Sequence, residues 1–258
     1  MVQYIKNFFR KDVSYMSGHS KWNNIKKRKE ATDGAKAKVF TKMAREIAVA
    51  VKEGGPDPEN NGKLRDVIAK AKANNVPNDN IDRVIKKAAG SKDSNDYEEI
   101  VYEGYGPSGV AVIVETLTNN RNRTAGEVRH YFDKFGGNLG QTGCVSFMFE
   151  RKGVIVIEDE NLDEEKLMEE VFEAGAEDFE MEDGAAEIYT APADFGKVCA
   201  ELEKMGYKFV SAEVASVPST YTKIEDPELN EKMGKLLDML EDNEDVQAVW
   251  HNWDNDEE

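Results

Sequence analysis

The feature that most constrains this chain is a change of hydrophobic period near residue 93 of its 258 residues. Before that point apolar residues recur every three to four positions; after it they alternate, in short runs interleaved with further helical stretches. A chain that switches in this way is neither all-helical nor all-strand, and the pattern predicts an α+β fold with a helical head. Over 33–53, Val39, Phe40, Met43, Ile47 and Val51 share a helix face, and Gly54-Gly55-Pro56 ends the helix. At about 100° per residue, Lys38, Lys42, Arg45 and Lys52 form a basic stripe on the opposite side. A second helix over 61–74 buries Leu64, Val67, Ile68 and Ala71. A third begins at Asn78, whose side chain is suited to capping, buries Ile81, Val84, Ile85 and Ala88, and stops at Gly90. Three short helices make a small bundle.

Beyond residue 93 the pattern predicts strands over 98–103 and 110–117 around a Gly-Pro-Ser-Gly turn, a helix over 122–135, and a strand over 144–149. Residues 151–215 then carry a complete β-α-β-β-α-β order, with a hairpin at Asp183-Gly184, which is the ferredoxin-like arrangement. After Pro218 comes a helix with Asp226 as cap, Pro227 at its first position and a stripe of Leu229, Met233, Leu236 and Leu240; a closing strand over 246–253 follows. Residues 93–150 supply β-β-α-β and lack a second α-β, which 219–253 provide. The expected division is therefore an extension over 1–16, a basic helical domain over 17–92, a middle α/β domain made of 93–150 plus 216–258, and a ferredoxin-like domain over 151–215 inserted into it.

Net charge is −17, yet it is unevenly spread. Residues 1–92 hold 21 Lys and Arg against 10 Asp and Glu, net +11; residues 93–258 hold 13 against 41, net −28. A basic head on an acidic body predicts that the head meets a polyanion while the body stays off it. The longest apolar runs near residues 47–51 and 110–114 are far short of the roughly 20 residues a bilayer span needs, so no membrane partner is expected. Cys144 and Cys199 make no disulfide framework and no zinc site unaided, which fits a reducing compartment. Residues 1–15 lack the apolar core and cleavage site of a secretory signal. Their Val2, Ile5, Phe8 and Phe9 beside Lys6, Arg10 and Lys11 have the pattern of a basic amphipathic presequence, which would make the protein mitochondrial. The simpler reading, an upstream start with Met16 as the functional first residue, gives a cytoplasmic protein.

The segment Ser17-Gly-His-Ser-Lys-Trp-Asn-Asn-Ile-Lys-Lys-Arg-Lys29 gathers Lys21, Lys26, Lys27, Arg28 and Lys29 around Trp22. Cations neutralise phosphates and release counterions, and an exposed Trp stacks on an unpaired base. The alternatives are a solvated charge run and a Trp22 tucked onto the bundle. The stripe of Lys38, Lys42 and Arg45 adds charge of the same sign. In Thr118-Asn-Asn-Arg-Asn-Arg-Thr124, Arg121, Arg123 and the free N–H groups of the following helix have the makings of a phosphate site. The competing reading pairs those arginines with Glu115 and Glu127 and leaves Asn120 as a cap.

Enzyme-like patterns dissolve on inspection. Gly104-Tyr-Gly-Pro-Ser-Gly109 matches a dinucleotide fingerprint, but a strand follows where a helix is needed, so it reads as a hairpin turn. The acidic run over 158–165 lacks the glycine of a calcium loop and reads as a helix N-terminus. Cys144 and His130 lack a third partner, and His251 between Trp250 and Trp253 reads as packing. The sequence thus predicts no catalytic residue, no metal site, no cofactor and no small-molecule substrate.

From Met16 to about Trp253 the chain resembles the YebC/PmpR family, whose eukaryotic relatives include the mitochondrial translational activator of cytochrome c oxidase. The resemblance rests on the basic segment above, Gly54-Gly-Pro-Asp-Pro58, Asn74-Asn-Val-Pro-Asn-Asp-Asn-Ile81, Tyr102-Glu-Gly-Tyr-Gly-Pro-Ser-Gly109, Thr118-Asn-Asn-Arg-Asn-Arg-Thr124 and Gly136-Gly-Asn-Leu-Gly140. Residues 1–15 depart from the typical bacterial pattern. The resemblance implies three domains, one helical and two α/β, and a non-enzymatic role in gene expression. It implies either DNA-binding transcriptional regulation or a translation factor that binds ribosomal RNA on the ribosome and relieves stalling on proline-rich stretches. An acidic protein-interaction scaffold whose head pairs with its own body is the reading from another class.

Overall fold

The computed structural model describes residues 33–90, 97–159, 162–182 and 184–255, over which the chain is a mixed α+β protein: a helical head followed by two four-stranded sheets. The head consists of α1 (Asp33–Gly54), α2 (Gly62–Ala73) and α3 (Asn78–Gly90). Met43, Ile47, Val51, Leu64, Ala71 and Ile81 close its core. Asn61 caps α2 by accepting the Leu64 N–H at 3.0 Å, while its amide donates to the carbonyls of Ala50 and Gly55 at 2.7 and 2.8 Å. One buried side chain thereby satisfies both sides of the α1–α2 turn. Asn78 is not the cap expected of it: it is the first residue of α3, and the Pro77 carbonyl accepts from Asn80 and Ile81.

The body runs β1 (Glu98–Tyr105), β2 (Ala111–Thr118), α4 (Arg121–Lys134), β3 (Asn138–Leu139), β4 (Phe149–Glu158), α5 (Glu164–Ala174), β5 (Asp178–Glu182), β6 (Ala185–Thr190), α6 (Phe195–Lys204), β7 (Phe209–Pro218), β8 (Thr222–Lys223), α7 (Pro227–Asp242), β9 (Val246–His251) and β10 (Trp253–Asp254). The first sheet has the order β3-β1-β2-β9 and the second β5-β6-β4-β7, antiparallel throughout. In the second sheet the neighbours run fourth, first, third, second in chain order, the ferredoxin-like arrangement. Strand β9 pairs with β2, so the first sheet is completed only after the chain has built the second.

Alternation of side chains across each strand sorts the apolar residues into three layers. Val112 and Val114 pack outward against Val128 and Phe132 of α4 and Met233 and Leu236 of α7. Ile155, Ile157 and Ile188 pack against Leu167 and Val171 of α5 and Leu202 of α6. Between the sheets, Ala111, Ile113 and Trp250 meet Val154, Val156 and Tyr189. Helices thus lie outside two sheets that are packed face to face, and β2 and β6 are buried on both sides. This explains why both strands read as nearly unbroken apolar runs.

Two expected strands differ in the structure. Residues 144–148 are not a strand; a turn leads into a single 3-10 turn at Ser146–Met148, and β4 begins only at Phe149. The cause is Glu103, whose buried carboxylate accepts the N–H groups of Gly143 at 2.8 Å, Val145 at 2.9 Å and Ser146 at 2.8 Å, so these are withdrawn from any ladder. The closing strand is broken at Asn252. Its side chain accepts from the Ala111 N–H at 2.7 Å and donates to the Thr220 carbonyl at 3.1 Å, and Trp253–Asp254 turns away to pair with β8. Where β1 crosses β3 the backbones nearly touch. A Cβ on Gly104 would lie 2.6 Å from the Asn138 carbonyl oxygen, and one on Gly137 2.6 Å from that of Tyr105.

Candidate nucleic-acid interface

Of the residues expected to meet nucleic acid, Lys21, Trp22, Lys26, Lys27, Arg28 and Lys29 lie outside the described residues. Of the remaining five, Lys38, Lys42, Arg45 and Arg123 converge on one corner of the body, where α7 ends, while Arg121 pairs with Glu98. The last turn of α7 carries Glu241 and Asp242 and no basic residue, and Glu244 and Asp245 follow directly. A helix C-terminus already bears partial negative charge, so this corner demands cations from elsewhere. Helix α1 supplies them. Lys38 Nζ lies 2.7 Å from Asp242 Oδ1, and Lys42 Nζ donates to the Glu241 carbonyl at 2.7 Å. Arg45 donates through Nη1 to the Glu244 carbonyl at 2.6 Å and to Asp245 Oδ1 at 3.3 Å, and through Nη2 to Glu244 Oε2 at 3.0 Å. Its guanidinium also lies 5.7 Å from the centre of the Tyr97 ring, in cation–π geometry. The basic stripe expected to add to the nucleic-acid-binding charge is engaged by the protein's own body.

The other two arginines open α4. Asn120 caps that helix by accepting the Arg123 N–H at 3.1 Å, as one of the two readings had it. The arginines pair with neither Glu115 nor Glu127. Arg121 lies 3.7 Å from Glu98 with its side chain 68% exposed, and Arg123 bonds Asp245 Oδ2. Glu115 is taken instead by Arg151 at 2.6 Å and by the Trp250 indole N–H at 2.9 Å, while Glu127 accepts from Asn243 at 2.8 Å.

Asp245 is the hub that sequence reasoning missed. It is buried, and besides Arg45 and Arg123 it accepts from the hydroxyls of Thr118 at 3.1 Å and Thr124 at 2.8 Å. Burial alone would push its carboxyl up, but the bonds from Arg123, Thr124 and Thr118 outweigh it and hold it below the usual aspartate range. The one sequence signal for this hub is Glu241-Asp-Asn-Glu-Asp245, an acidic helix end with no cation of its own. A polar cleft of about 360 Å³ beside the hub is lined by Arg45, Tyr97, Asn119, Arg123, Glu127 and Glu244 among others, so its charges are largely balanced from within.

A second charged cluster lies on the side of the head that faces the body. Lys70 of α2 and Glu46 of α1 form an ion pair at 2.9 Å, both side chains less than a quarter exposed. Burial alone would lower the Lys70 ammonium, but Glu46 and Glu213 outweigh it and hold it above the usual lysine value. Lys63 bridges Glu53 of the head and Glu99 of β1 at 2.9 and 2.6 Å.

Burial and the nearby Glu103 push the Cys144 thiol up, and burial takes Cys199 to about 12, so both thiols stay protonated. Among the described residues no group of three or more His, Cys, Asp or Glu is placed to hold a metal ion, and no helix is long and apolar enough to cross a membrane.

Comparison with known proteins agrees along nearly the whole chain. Residues 20–91 match the TACO1/YebC protein N-terminal domain, and residues 97–253 match the TACO1/YebC second and third domain. A probable transcriptional regulatory protein of Acetivibrio thermocellus is 65% identical over 239 residues, covering 92% of this chain and 99% of that one. Another, of Caldicellulosiruptor bescii, is 62% identical over 244 residues, covering 94% and 100%. The crystal structure of a conserved hypothetical protein from Aquifex aeolicus superposes with a TM-score of 0.78 at 46% identity, covering 88% of this chain and 93% of that one.

Proposed function

Since the chain belongs to the TACO1/YebC family, whose members named above are probable transcriptional regulatory proteins, we propose that it regulates gene expression by binding nucleic acid, with no catalytic step. DNA is the target that the relatives' names favour. The observation that carries the reading is the charge split of +11 on residues 1–92 against −28 on the rest. The described geometry sharpens it. The stripe of Lys38, Lys42 and Arg45 is built to grip oxygen anions, and the body's own carboxylates and carbonyls occupy it. First contact with phosphate therefore falls to Lys21, Lys26, Lys27, Arg28 and Lys29, with Trp22 stacking beside them and Arg121 and Arg123 as a secondary site. The chain acts in the cytoplasm and divides as residues 17–92, 93–150 with 216–258, and 151–215.

A second reading, binding of ribosomal RNA on the ribosome, is favoured by the body at −28, which repels a long duplex more than a folded or single-stranded RNA. The scaffold reading draws on the pairing of α1 with the end of α7. A salt titration separates these. Five phosphate contacts give a log–log slope of about −3.5 to −4.5, and replacing Lys26, Lys27, Arg28 and Lys29 by Ala should abolish binding with the thermal midpoint unchanged. A scaffold shows no such binding. Sedimentation of a lysate with and without ribonuclease then separates ribosome from promoter: ribonuclease-sensitive comigration with ribosomal particles selects RNA.

A further inference from the structure

The longest stretch of the chain without a charged residue is 135–149, between Lys134 and Glu150, in a protein of which 33% is Asp, Glu, Lys or Arg. Burial does not explain it. Positions 136, 138, 140–143, 146 and 147 are all exposed, where charge is ordinarily placed. Phe147 stands out most, at 77% exposed, the highest of any large apolar residue described. A second uncharged stretch, 214–222, lies against the first: Phe149 pairs with Pro218, and Ser219 donates to the Met148 carbonyl through both N–H (2.9 Å) and hydroxyl (3.0 Å).

The loop that displays Phe147 is held at each step. Glu103 takes three of its N–H groups, Tyr105 donates its hydroxyl to the Cys144 carbonyl at 3.0 Å, and Val145 is wholly buried between the sheets. Burial would push the Glu103 carboxyl up, but the three N–H bonds outweigh it and hold it below the usual glutamate value. The phenyl ring is thus presented by fixed backbone, with its ordering cost already met in the free protein.

We infer that Phe147, displayed by this uncharged loop, stacks on an unpaired base of a bound single-stranded nucleic acid. The inference rests on the nucleic-acid reading above and deepens it. A body with 41 acidic residues excludes a polyanion from most of its surface, so a strand held by the basic head can lie along the body only where carboxylates are missing. The loop itself carries none, and it displays exposed neutral donors and acceptors, Gln141, Thr142 and Ser146, with Ser219 hydrogen-bonded beside it, suited to base edges. Stacking on a phenyl tolerates any base, which fits a face that carries no charged reader.

The test pairs four oligomers with four proteins. Fluorescence polarisation measures binding of a 12-nucleotide single-stranded RNA, its DNA counterpart, and the same oligomers with four central abasic positions. Phe147→Ala should weaken binding of the base-bearing oligomers about five- to 150-fold, down to the wild-type affinity for the abasic ones, and leave abasic binding unchanged. Phe147→Trp should retain binding, and Phe147→Leu should behave like the Ala variant. All three should keep the wild-type thermal midpoint, because the side chain is exposed. Equal binding of base-bearing oligomers by wild type and Phe147→Ala overturns the inference. So does full retention by Phe147→Leu, which shows that binding needs no aromatic ring. Wild type that binds both oligomer kinds equally keeps the charge-driven function and sinks the stacking; wild type that binds neither at low salt sinks the function as well.

Discussion

Replacing Asp245 by Asn tests whether the hub at the end of α7 is what fastens the head to the body. The substitution keeps shape and removes charge, leaving Arg45 and Arg123 without their shared carboxylate and turning an N–H₂ toward hydroxyl or guanidinium donors. Losing one partner of a buried ion pair costs about 3–5 kcal/mol. Arg45 is only 18% exposed but keeps both of its bonds to Glu244, and Arg123 at 46% recovers much of its compensation from water. The lower end applies, about 3 kcal/mol. For a chain of this size that is a fall of about 6–12 °C in thermal midpoint, read by calorimetry at pH 7. The effect has a signed pH dependence. Asp245 titrates lower in the folded protein than in the unfolded chain, so its stabilisation is complete above about pH 4–5 and drains away as pH falls through the folded value. The variant lacks that titration, and the gap between the two proteins should close on acidification. A fall below about 2 °C at pH 7, or a gap that persists unchanged to pH 3, would refute the reasoning.

Other consequences are cheaper to check. Asp242→Asn with Glu244→Gln removes exposed partners of Lys38 and Arg45, so stability should change by no more than about 0.5–1 kcal/mol, while affinity for a single-stranded oligomer at low salt should rise; an unchanged affinity means that α1 never meets phosphate. Lys70→Met strands Glu46 in a half-dry junction and should destabilise by about 2–4 kcal/mol, whereas adding Glu46→Leu should recover most of that loss in urea unfolding.

The elements and their order were legible because they are written in local periodicity. Leu229, Met233, Leu236 and Leu240 announce a helix, and the β-α-β-β-α-β order over 151–215 announces its own sheet topology. What escaped was whatever depends on residues distant in sequence. Lys38 and Asp242 are 204 positions apart, and a basic stripe opposite an apolar face looks the same whether water or a partner helix covers it. Glu103 reads as an outward polar residue of a strand, because nothing local reveals that its partners are three backbone N–H groups forty residues on. Asn252 breaks the last strand through side-chain bonds to positions 111 and 220, again invisible to a two-residue period.

The two sheets share a continuous apolar layer, but no buried apolar residue of the head belongs to a cluster of the body among the described residues. Paired sheets cannot slide without opening that layer to water, which makes the body a single block with one shape. The head is fastened by a different kind of bond, charge on charge, which mobile ions weaken. Ionic strength, which leaves the block untouched, becomes the variable that sets how firmly the head is clasped.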